Sequence, residues 1–216
     1  FVHHFTTAFT RFRLVGFSAD GQTMAVGHRE GTVQLWQAAT GEAGPLLAGT
    51  TGLIFSLALS GDGRMLVTGG RDGHLCLWAL PAGQLQQVIE TQAGAIHVLA
   101  FSPDGKFLAS GHGDMVIRLW TIDAQARLHL HHTLRGHTQT IWSVVFSPHP
   151  AARGGSNVSV ARQLLVTGSS DQTVRVWDVA SARQIGAPRL GFEDWVYDVT
   201  FTPDGLGVVA GSKDHT

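Results

Sequence analysis

The 216-residue chain carries 15 Lys and Arg against 16 Asp and Glu, a formal net charge of -1. That balance supplies no electrostatic reason to expect a nucleic acid or an anionic membrane as partner. Hydrophobic residues make up 44% of the chain, enough for a substantial core, but no apolar run approaches the roughly 20 residues of a membrane-spanning helix.

Residues 1–10 are expected to be an outer strand left from a preceding unit. From there the sequence repeats. The first unit, 11–49, passes through "FSADG" (Asp20) to "AVGHREGTVQLW", ending at Trp36. The second, 50–92, has "LSGDG" (Asp62) and "VTGGRDGHLCLW", ending at Trp78. The third, 93–135, has "FSPDG" (Asp104) and "ASGHGDMVIRLW", ending at Trp120. These tryptophans and turn acids recur at a step of about 42 residues. The fourth unit, 136–191, ends its repeat at "TGSSDQTVRVWD" (Trp177-Asp178) and is stretched by a polar insertion at 149–163. The fifth, 192–216, contains Trp195 and "FTPDG" and stops at "SKDHT", where a third strand is due.

Within each unit the pattern is β. "TVRVW" and "VIRLW" alternate apolar and polar residues with period 2, and Asp-Gly between two such runs is a strong hairpin signal. A second turn follows at "REG", "RDG", "GDM", "SDQ" and "KDH". The chain is therefore predicted to be all-β, with four antiparallel strands per unit. Four-stranded units of this length ending near tryptophan resemble the WD-repeat family of β-propellers. The Gly136-His137 and Trp177-Asp178 pairs of the fourth unit carry the resemblance most fully. It implies radial blades, four complete and part of a fifth, in a segment of a longer propeller protein.

The fourth unit also holds a hydroxyl, a carboxylate and a histidine, the ingredients of a hydrolase triad. The resemblance assigns them otherwise: His137, Thr167, Asp171 and Trp177 form a buried hydrogen-bonded network that holds the blade. Recurrence favours that structural role, because Thr68–Asp72–Trp78 and Ser110–Asp114–Trp120 repeat hydroxyl, acid and indole with no histidine in register. The positions equivalent to His137 hold Ala8, Thr50, Gln92 and Phe192. In the first unit Val26 replaces the hydroxyl and Glu30 the acid, so apolar packing should hold that unit.

The first strand of each unit points to a binding face. Its apolar positions (Ile54, Leu57, Leu59; Ile96, Leu99, Phe101; Ile141, Val144, Phe146; Val196, Val199, Phe201) break strict alternation, which a β-bulge would repair. The residues re-aimed by such bulges are Arg13, Phe55, His97, Trp142 and Tyr197. Just before the second turn acid come Arg29, Arg71, Ser170 and Lys213, at the same strand end. Together with Trp195 these form the expected face for protein or peptide partners. Arginines on adjacent units suit an acidic or phosphorylated segment. The alternative is that Trp142 and Tyr197 plug the central channel or cover neighbouring blades.

Weaker features are "HLHH" (His129, His131, His132), with too few ligands for a structural zinc, and glycine-containing turns that lack the following helix a phosphate cradle needs. Cys76, the single cysteine, is expected to be buried and inert, and it fits a reducing, cytoplasmic setting. No cofactor or metal is expected. The functional expectation is a non-enzymatic interaction scaffold. A regulatory or sensory propeller joined to a kinase or NTPase, and a propeller enzyme, are the alternatives.

Overall fold

A computed structural model describes residues 12–49, 52–148 and 162–214, the side chains of residues 12 and 13 excepted. The strand expected at 1–10, the equivalents Ala8 and Thr50, and most of the insertion lie outside the described residues.

Every described element is a β-strand. The first sheet contains β1 (Phe12–Phe17), β2 (Thr23–His28), β3 (Thr32–Gln37) and β4 (Ala43–Ala48). The second contains β5 (Ile54–Leu59), β6 (Met65–Gly70), β7 (His74–Ala79) and β8 (Gln84–Glu90). The third has β9 (Ile96–Phe101), β10 (Phe107–His112), β11 (Ile117–Ile122) and β12 (Leu128–Leu134). The fourth has β13 (Ile141–Phe146), β14 (Leu164–Ser169), β15 (Val174–Asp178) and β16 (Arg183–Gln184). Two strands of the fifth are described, β17 (Val196–Phe201) and β18 (Val208–Ser212). Each sheet is an antiparallel meander in chain order, and the first strands of successive sheets lie against one another. No described helix is long and apolar enough to cross a membrane.

The core lies between sheets rather than within one. Leu35 and Leu47 of the first sheet meet Ile54, Leu66 and Trp78 of the second. Val67, Leu75 and Leu77 meet Ile96, Leu108 and Trp120 of the third. Ile117, Leu119 and Leu134 meet Ile141, Leu165 and Trp177 of the fourth. The second strands are sandwiched and almost continuously buried. Leu66, Leu108 and Leu165 are fully enclosed there, and each such burial contributes about 1.5–3 kcal/mol. This packing requires glycine where sheets approach most closely. A Cβ on Gly69 would sit 2.7 Å from Ile96 Cγ2, and one on Gly168 would sit 2.9 Å from Val196 Cγ1.

The Asp-Gly turns are built alike. Ser102 Oγ donates to Asp104 Oδ1 at 2.6 Å, the same oxygen accepts the Lys106 amide at 3.1 Å, and Gly105 takes a φ of 69°. Ser18–Asp20 and Ser60–Asp62 repeat this geometry with the same 2.6 Å bond. In the fourth unit Ser147 Oγ likewise accepts the Leu164 amide, at 3.1 Å.

All five first strands carry a bulge at the position the sequence rhythm indicates. Register slips between Phe12 and Leu14, Ile54 and Ser56, Ile96 and Val98, Ile141 and Ser143, and Val196 and Asp198. The extra residues are Arg13, Phe55, His97, Trp142 and Tyr197.

Candidate binding face and blade fasteners

The fourth sheet contains the most complete polar network. Trp177 Nε1 donates to Thr167 Oγ1 at 3.0 Å, and His137 Nε2 lies 2.7 Å from the same hydroxyl. His137 Nδ1 lies 2.8 Å from Asp171 Oδ2. Thr173 Oγ1 and the Thr138 amide also donate to this carboxylate, at 2.6 and 3.0 Å. One donor order satisfies every atom: indole to hydroxyl, hydroxyl to Nε2, and Nδ1–H to carboxylate. Burial alone would raise the Asp171 carboxyl, but the bonds from His137 and Thr173 outweigh it and hold the group far below the usual carboxylate range. The His137 and Asp171 side chains are 0% and 5% exposed, so the hydroxyl has no open side for a substrate.

The other sheets depart from this arrangement in instructive ways. In the third, Trp120 Nε1 donates to Ser110 Oγ at 2.8 Å, and a histidine absent from the expected set, His112, places Nε2 at 2.7 Å from that oxygen. The imidazole thus comes from the end of β10 instead of the preceding loop. Asp114 does not join this hydroxyl and indole as the spacing suggests. It binds the Arg118 guanidinium through two bonds of 3.1 and 2.7 Å. Burial pushes the His112 imidazole down to about 3, with Arg118 adding to the effect. In the second sheet Trp78 Nε1 donates to Thr68 Oγ1 at 3.3 Å, while Asp72 accepts the His74 amide at 3.2 Å.

Four of the bulged residues converge on one rim. Phe55 and His97 stack with centroids 5.5 Å apart, and His97 meets Trp142 edge-on at 5.2 Å. Trp142 stacks on Trp195 at 6.2 Å and lies 6.1 Å from Tyr197, which packs 5.9 Å from Trp195. The result is one aromatic arc across four sheets. Phe55, His97 and Trp142 are half-buried, whereas Trp195 and Tyr197 are 37% and 44% exposed. Lys213 places its ammonium 4.7 Å from the Trp195 centroid and 3.2 Å from Asp194 Oδ2. Arg29 and Arg71 are exposed. The Arg13 side chain lies outside the described residues.

Ser170 is the exception among the expected face residues. It is only 5% exposed, and its hydroxyl accepts the Trp142 indole N–H at 2.6 Å. It lies beneath the surface and orients Trp142 instead of presenting itself to a partner.

Residues next to the bulges join neighbouring sheets. Ser56 Oγ accepts the Leu99 amide at 2.9 Å, and Ser143 Oγ accepts that of Val199 at 3.2 Å while donating to Asp198 at 2.9 Å.

A family model described as "WD domain, G-beta repeat" matches residues 45–79, 83–121, 128–178 and 188–216. The chain belongs to the WD40 repeat family. An 83-residue stretch is 39% identical to the nuclear distribution protein PAC1 of Coccidioides posadasii, covering 38% of this chain and 17% of that protein. A 99-residue stretch is 35% identical to the protein transport protein SEC13 of Pyricularia oryzae, covering 40% and 34%. An 84-residue stretch is 30% identical to the small ribosomal subunit protein RACK1 of Neurospora crassa, covering 39% and 23%. The matches thus span 17% to 34% of these relatives' lengths. WD40 repeat proteins generally act as protein-interaction scaffolds.

In this WD40 chain the lesser histidines form no metal cage. His131 and His132 have ring centroids 4.0 Å apart, and His129 Nε2 bonds Asp123 at 2.7 Å. Among the described residues no group of three or more His, Cys, Asp or Glu side chains gathers as a metal site. Cys76 is buried between the first two sheets, and that burial raises its thiol to about 11.

Proposed function

We propose that this chain is a non-catalytic, cytoplasmic scaffold that docks peptide segments of partner proteins along the arc from Phe55 to Tyr197. The supporting observation is that the bulges of the second to fifth sheets turn Phe55, His97, Trp142 and Tyr197 out of the core rhythm and toward the same rim. Trp195 and Tyr197 present 37% and 44% of their surface at this rim. Tyr and Trp offer large contact area with little entropy to lose, as interface anchors do. The exposed guanidiniums of Arg29 and Arg71 supply forked donors for an acidic or phosphorylated stretch of the same partner.

Peptides selected from a random 12-residue phage library against the immobilised chain provide the test. Their affinity for Trp142→Ala should fall by about tenfold or more, the loss typical of a central aromatic anchor. Arg71→Glu should weaken the acidic members of the set. Selected peptides that bind both variants as well as the wild type would place the interaction elsewhere.

A further inference from the structure

The fifth-sheet end of the arc has a different charge character from the arginine-bearing end. Three ring centroids, those of Trp142, Trp195 and Tyr197, lie 5.9 to 6.2 Å from one another. Around them stand Asp194, which is held low chiefly by the Trp195 amide, and Asp214, close enough to Asp194 to oppose that lowering. Asp198 follows Tyr197 and reaches across to Ser143, the residue after Trp142. Among the described residues, the ammonium set against these carboxylates is that of Lys213. It lies on the Trp195 face and beside Asp194 at the same time.

We infer that this corner is a subsite for a basic side chain, Lys or Arg, of the docked peptide, and that Lys213 occupies it in the free protein. The inference rests on the peptide-docking reading and specifies the partner chemistry at one end of it. A cation over the face of tryptophan is attracted by the ring quadrupole, more strongly as water is excluded. A neighbouring carboxylate adds directional hydrogen bonds. Lys213 meets both conditions while its side chain stays 50% exposed, so an incoming cation can displace it without opening the fold. Its local cost is small, because exposed ion pairs contribute little. An acidic group of a partner at this corner would instead meet Asp194, Asp198 and Asp214.

The probes are capped pentapeptides, acetyl-Gly-Gly-X-Gly-Gly-amide, with X as Arg, Lys, citrulline, norleucine or Glu. Nitrogen-15 indole resonances of the six tryptophans report the site in the full chain. The Arg and Lys probes should shift the Trp142 and Trp195 signals, with affinities about fivefold or more above citrulline and norleucine. Lys213→Ala should strengthen Arg binding several-fold by removing the internal competitor, and Asp194→Asn should weaken it. Equal shifts from Arg, citrulline and Glu, or weaker Arg binding in Lys213→Ala, would overturn the cation subsite. In that case phage-selected peptides that still depend on Trp142 would leave the docking face standing. Peptides indifferent to Trp142 would remove both.

Discussion

Acidification from pH 6.5 toward 3 is expected to remove about 3–5 kcal/mol of folding stability through His112 alone, at about 1.4 kcal/mol for each pH unit by which its protonation is delayed. The side chain is completely buried, and burial lowers its imidazole from 6.5 to about 3. In this window the unfolded chain takes up the proton and the folded chain does not. The contribution is therefore fully present above pH 6.5, shrinks as pH falls, and is exhausted near 3. His28, at the same place in the first sheet, is lowered by burial as well and adds in the same direction. Asp171 acts in a separate, lower range: its depressed carboxyl stabilises above the ordinary carboxylate range, and that stability is lost as the pH falls further. Urea unfolding at pH 7 and 4.5 measures the effect. The variant His112→Gln, which keeps a hydrogen-bonding group for Ser110 but cannot titrate, should show a visibly flatter profile. Equal slopes in wild type and variant would remove His112 as the cause.

Replacement of His137 by alanine is expected to cost about 3 kcal/mol, the upper range for orphaning buried polar partners. Two partners lose their bond at once. Thr167 Oγ1 loses the Nε2 acceptor and Asp171 loses its Nδ1–H donor. The remaining donors to Asp171, from Thr138 and Thr173, keep the carboxylate partly satisfied and keep the loss from being larger. Hydrogen exchange should localise the loosening to β14 and β15, because those strands carry Thr167 and Trp177. Unchanged exchange there would contradict the role assigned to His137.

Much of this was legible because the same physics is repeated. A slip from three-residue to two-residue spacing in Ile141–Val144–Phe146 admits one economical repair, and the bulge at Trp142 is that repair. Asp-Gly marked its hairpins for a comparable reason, since Gly105 must take positive φ. The fastener of the third sheet was not legible from loop spacing. There the imidazole comes from His112, two residues beyond Ser110 on the same strand. Period-2 geometry does put those two side chains on one face, so a search along the strand would have found it. Ser170 was misplaced because sequence position gives the strand end but not depth, and only the tertiary packing sets it beneath Trp142. The charge contrast along the arc was also hidden, because Asp194 and Lys213 are distant in the chain and meet only across the fifth sheet.

The decisive measurement for the fastening role is a double-mutant cycle in urea unfolding with His137→Ala and Thr167→Val, alone and together. Two groups joined by a 2.7 Å bond inside one buried network should show a coupling energy of about 1–3 kcal/mol. Strictly additive losses would mean that the histidine and the hydroxyl do not hold the blade together.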